Sequence, residues 1–278
     1  MSALTAAGSR VAGGSEIARQ ALRMSRRSLA IWSAAFAVMI TVYAVIWPSV
    51  RGNVRWRELF DTLPQTYRAL FTASGTIDLS TPAGYLGIEL MGFLGPALIA
   101  IYAITAGAAA IAGEEDQGGL EITLAGPVSR TSLLVQRFAA LLIGITVLVT
   151  AMGLSLWFYS ALFDMRLGVG AIASAAAALG LFGLFAGTVA LVTGAVTGRP
   201  AAARGVAALV AVASFLINAL GQVTSSLRPS RPISPYYLVL GNEPLAHGLR
   251  LLGAMSVLGV VTVLIVAGAI GFARRDLR

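Results

Sequence analysis

The chain lacks cysteine and lysine altogether, holds a single histidine, and is only 12% charged over 278 residues. Without cysteine there are no disulfides, thiolate nucleophiles or zinc–thiolate sites. Without lysine there is no Gly-x-x-x-x-Gly-Lys-Ser/Thr phosphate loop, so ATP cannot be held in that way, and Schiff-base chemistry is excluded with it. The lone His247 leaves little room for a metal site, and none is expected. A soluble domain of this size carries about 25% charged residues, twice what is present here. The 57% hydrophobic content therefore implies a solvent that is largely lipid.

Six stretches reach the roughly 20 apolar residues needed to cross a bilayer. They run from Leu29 to about Trp47, where Pro48 closes the first, and then over about 85–112, 138–163, 171–197, 205–221 and 251–272. The fifth is short and carries Asn218 near its end. The expected fold is thus all-α and membrane-integral, with residues 1–28 as a tail and 29–278 as one six-span domain.

All 20 basic residues are arginine, and the net charge is +8. Six spans put both termini on one side. Twelve arginines then share that side and eight the other, most of those in the two longest loops. The positive-inside rule places both ends in the cytoplasm, as expected for a multi-pass protein of the bacterial plasma membrane. Topology explains the basic surplus, so no nucleic-acid partner is expected.

Within the tail, residues 15–28 have the pattern of an amphipathic helix, with Ser15 as its cap. Arg19, Arg23, Arg26 and Arg27 fill one sector, and Ile17, Ala21, Leu22 and Met24 lie opposite. Such a helix suits the inner membrane surface. Between the second and third spans, residues 113–132 carry Glu114, Glu115, Asp116 and Glu121 against Arg130 alone. Anionic lipids repel such a loop, so it should face solvent or a partner. Asp116 can cap a short helix with Leu120 and Leu124 on one face and Pro127 at its end. A helix of that kind is a handle by which two spans can be moved together.

The run Glu115, Gly119, Leu120, Glu121, Leu124, Pro127, Ser129 and Arg130, with Leu134 and Arg137 beyond, resembles the signature of the type-2 permeases of ATP-binding-cassette (ABC) transporters. It departs from that signature at Gly119, where threonine is frequent, and at Arg137, where lysine is common. The stretches 78–85, 234–237, 241–245 and 274–277 fit as well, so the resemblance covers about residues 15–278. It implies the membrane half of an exporter, working as a dimer with a second permease, the same or different. Two separate ABC ATPase subunits would hold the ATP and magnesium, with no cofactor bound to this chain. The inner-loop residues 114–116, 119–121, 124, 127, 129 and 130 would be the coupling helix, and residues 15–28 the elbow helix. Membrane lipids complete the partners. The resemblance assigns no substrate-binding residue.

Other features admit more than one reading. Small residues recur along the fourth span, including the pairs Gly183/Gly187 and Gly194/Gly198. Such a seam admits a close helix, either of this chain or of a second copy. Glu89, in the first turns of the second span, is either a functional ionisable group or an interfacial one. The loop after Pro48 carries Trp56, Leu59, Phe60, Tyr67, Leu70 and Phe71, which suit short surface helices. The proline-rich loop 222–250 is either a lid or a connector, and Asn242 can cap a short helix in it. His247 and Ser234 lack the carboxylate and elbow of a hydrolase, so a surface histidine is expected and no enzymatic activity. The rival to an ABC permease is a stand-alone secondary transporter or channel.

Overall fold

A computed structural model describes residues 2–51, 81–120 and 129–275, with isolated positions 53, 58, 62, 64 and 69 between. The side chains of residues 2–25 and of Glu89 lie outside that description, as do the apolar residues of the loop after Pro48 and residues Glu121, Leu124 and Pro127 of the inner loop. Among the described residues every regular element is helical, and no strand occurs.

Among the described residues six helices are long and apolar enough to cross a bilayer. They comprise Arg26–Val50, Pro82–Asp116, Arg130–Leu162, Val169–Thr197, Pro200–Val223 and Leu251–Arg274. The fifth reaches beyond its expected ends because Pro200 supplies a favourable first helical residue and frees no needed donor. Two boundaries differ from expectation in kind. The first helix runs unbroken over Ser2–Val50, so no break sets the arginine-bearing segment 15–28 apart from the span. Its sequence contains neither proline nor glycine between Ser15 and Trp47, which leaves nothing to interrupt the hydrogen-bond ladder. Pro48 lies inside the final turn and does not close it.

The second span is not a uniform α-helix. Gly87–Leu94 and Ala109–Gly113 are π-helical, on either side of the α-helical section Gly95–Ala108. Wider winding of this kind concentrates at functional positions, because it turns backbone carbonyls out of register.

The fourth span is the hub. Of its apolar stretch 72% is buried, against 22% for the first span. Lipid adds no hydrophobic drive between helices, so close packing must hold them together, and that requires small residues. A Cβ at Gly107 would collide with the Gly187 carbonyl, and one at Gly187 would lie 3.0 Å from the Ala103 carbonyl oxygen. The backbones of the second and fourth spans therefore touch. Gly183 abuts Ile99, and Gly194 lies against Ala112 and Ala203. The small-residue seam thus faces helices of the same chain.

At the face away from the termini, Trp47 and Tyr85 pack with ring centroids 5.4 Å apart, and the Tyr85 hydroxyl donates to the Tyr43 carbonyl at 3.1 Å. The stretch before the sixth span is built into the bundle and does not merely connect. After the 3-10 segment Ser225–Ile233, the short helix Pro235–Leu240 buries Tyr236, Val239 and Leu240. The Ser234 hydroxyl donates to the Ser214 carbonyl at 2.6 Å and accepts from Tyr237 N–H. Arg231 donates to Asn218 Oδ1 at 3.0 Å, giving that buried amide of the fifth span a partner. Asn242 does not cap the next helix. Glu243 occupies the cap position at φ 51°, and the Asn242 amide turns to the Gly248 carbonyl at 3.2 Å.

Candidate functional site

Among the described residues two places bring chemistry-bearing residues together, one between spans and one at the face carrying the termini. The first is a cavity of about 280 Å³ between the second and fifth spans. Phe93, Ala97 and Ile101 form one wall, Ala208 and Phe215 the facing one, and Tyr236 reaches in from the short helix. Three ring contacts form its aromatic end: Phe93 with Phe215 at 5.7 Å, Phe215 with Tyr236 at 5.4 Å, and Tyr236 with Phe182 at 5.6 Å. Ile101 and Val212 are half exposed, so the cavity opens sideways from the bundle.

The polar tip of Tyr236 is accounted for. Its hydroxyl donates to the Gly92 carbonyl, within the first π-helical turn. Burial pushes the phenol well above its ordinary pKa, and the Glu243 charge adds to the effect. The hydroxyl therefore stays a donor, and the cavity presents ring faces and methyl groups. Such a surface recognises apolar and aromatic molecules by shape and dispersion. Sequence patterning missed this site, because its residues read only as apolar faces of two spans.

The second place is the inner loop and what it touches. Glu114, Glu115 and Asp116 continue the second span as its last helical turn, so Asp116 does not cap a new helix. The chain then turns at Gln117 and Gly118, with Gly118 at φ 72°, a left-handed conformation suited to glycine. Gly119 and Leu120 follow in helical conformation, and Leu120 is buried against Ile111, Leu133, Leu134 and Phe272. Ser129 caps the third span by accepting from Ser132 N–H at 3.2 Å.

The acidic side chains do not all face outward. A Glu114 carboxylate oxygen lies 2.5 Å from Arg137 Nη2, and Glu115 pairs with Arg275. Asp116 is exposed. Arg26 and Arg27 are exposed too, while the side chains of Arg19 and Arg23 fall outside the described residues, as the inner-loop residues 121–128 do entirely. At the end of the fourth span Gly198 adopts φ 65°, and a Cβ there would strike the Arg275 guanidinium.

A family model described as the C-terminal domain of the multidrug efflux system permease Rv1217c matches residues 18–273. The chain belongs to that efflux-permease family. No curated protein matches it. The match covers the cavity and the inner loop and ends two residues before Arg275.

Proposed function

We propose that this permease is the membrane subunit of a type-2 ABC exporter of apolar molecules. The observation that carries the reading is the lysine-free inner loop, which has the spacing Glu115, Gly119–Glu121, Leu124, Pro127, Ser129 and Arg130 and joins two apolar spans. The power source is a separate chain, since this one has no phosphate loop. Two ATPase subunits, holding ATP and magnesium, grip the coupling helix formed by the inner loop of each of two permeases. Arg19, Arg23, Arg26 and Arg27, on the continuous first helix, mark its cytoplasmic end, where their charges meet the headgroups of the inner membrane surface. With both termini cytoplasmic, the loop reaches the ATPase, and the protein sits in the bacterial plasma membrane.

The cavity between the second and fifth spans is the substrate pocket. Its about 280 Å³ is smaller than a typical drug site, which suits one wall of a pathway that a second permease completes. The word multidrug in the family description fits a surface that selects by apolar contact and not by fixed hydrogen bonds. Two states of the ATPase pair, gripping the loop differently, would bias two arrangements of the spans.

Co-purification of the tagged permease tests this reading. An ABC ATPase recovered in stoichiometric amount supports it. A chain purified alone that drives ion-gradient-dependent flux in liposomes overturns it.

A further inference from the structure

From the face carrying the termini we infer that Arg275 and Arg130 splice the inner loop to the end of the sixth span. Any pull on the loop then moves the ends of the second, third, fourth and sixth spans as one body. The source of that pull rests on the ATPase reading above. The tie itself rests on geometry.

Arg275 follows the last helical residue of the sixth span. Its Nη2 pairs with Glu115 Oε1 at the end of the second span, and its Nη1 donates to the Ala195 carbonyl at 3.0 Å near the end of the fourth. The pair is largely buried, with Glu115 at 13% and Arg275 at 15% exposure. One planar fork thus bonds two helix ends at once, which a lysine ammonium cannot do in fixed geometry. Gly198 leaves the room: a Cβ there would overlap the guanidinium and lie 2.9 Å from Glu115 Oε2.

Arg130, the first residue of the third span, closes the other side. Its Nη1 donates to the Phe272 carbonyl at 3.2 Å and to the Arg275 carbonyl. The last carbonyls of a helix have no partner within it, and a cation there also meets the negative end of the helix dipole. The guanidinium sits 5.9 Å from the Phe272 ring. Beneath it, Leu120, Leu133, Leu134, Leu191 and Phe272 are at most 1% exposed. Parting the tie would open that apolar cluster, so the geometry is that of a permanent strut and not of a switch that opens in each cycle.

The chain has no cysteine of its own, which allows a direct test. Glu115→Gln and Arg275→Gln should each lower the maximal rate of efflux of a fluorescent apolar dye from cells roughly three- to tenfold. The half-saturating dye concentration should stay unchanged, and Arg275→Lys should fall between. The double variant Glu115→Cys, Arg275→Cys should be as slow as Arg275→Gln. Joining its two thiols with a short, reducible bis-methanethiosulfonate in inside-out membrane vesicles, which are free of cytosolic thiols, should restore the rate of dye transport, and reductant should remove the gain. Cross-linking that leaves the double variant slow, or abolishes its residual efflux, would overturn the strut. Because the readout is efflux, a failure to recover an ATPase with the wild-type chain would count against the proposed function alone.

Discussion

Glu114 opens the last turn of the second span and Arg137 lies two turns into the third, yet their charged groups sit 2.5 Å apart, with Arg137 only 10% exposed. The inner loop is thereby pinched at its base. The carboxylate is about a third exposed, so solvent screens part of the attraction.

Removing the arginine by Arg137→Ala should destabilise the permease by about 1–2 kcal/mol. Arg137→Lys, which keeps the charge, should cost less. Thermal unfolding in detergent measures both. An Arg137→Ala protein that melts with the wild type would show that the pair contributes nothing.

The packing of the fourth span makes opposite predictions for two of its glycines, one against the second span and one against the third. A Cβ at Gly187 meets the Ala103 backbone at 3.0 Å, whereas at Gly180 the nearest atom is a Val149 methyl at 3.6 Å. Gly187→Val should cost about 1–3 kcal/mol or more by overpacking. Gly180→Ala should be neutral or slightly stabilising, gaining up to about 1 kcal/mol of helix propensity. Comparison of the two melting temperatures decides the matter.

The cavity is tested by filling it. Ala208 is exposed on its wall, so Ala208→Trp can be accommodated at the mouth without disturbing the core. It should raise the half-saturating concentration of an apolar dye about tenfold by removing contacts on that scale. Dye binding to purified protein is the measurement. Unchanged affinity would exclude this cavity as the substrate pocket.

Tyr236→Phe should act differently. It keeps the ring in the cavity but leaves the Gly92 carbonyl without its donor, at a cost of about 1–3 kcal/mol in stability. Dye affinity should change little while the melting temperature falls. Affinity lost with the melting temperature retained would show that the hydroxyl serves the substrate and not the Gly92 carbonyl.

Much of the fold was legible because length and hydropathy alone separate six spans in so apolar a chain, and the extensions seen at their ends follow from capping residues such as Ser129. The tertiary partners were not legible. Nothing in the run Glu114, Glu115, Asp116 distinguishes an acidic face offered to another protein from carboxylates paired with Arg137 and Arg275, because those arginines lie 23 and 160 residues away. The π-helical turns of the second span left no periodic trace, since apart from Glu89 their residues are apolar or small all round. The aromatic cavity was hidden for the same reason: Phe93, Phe215 and Tyr236 come from three elements, and each fits its own segment without calling for the others.

The central claim is that ATP hydrolysis on a partner chain drives export through this permease by way of the inner loop. It is tested most directly by substrate-stimulated ATPase activity of the co-purified complex in nanodiscs, with wild-type permease and with Leu124→Glu. The account predicts stimulation by apolar substrate in the wild type. It predicts loss of stimulation, or of the ATPase itself, in a variant that keeps its six-span fold. Wild-type stimulation from the Leu124→Glu complex would contradict it.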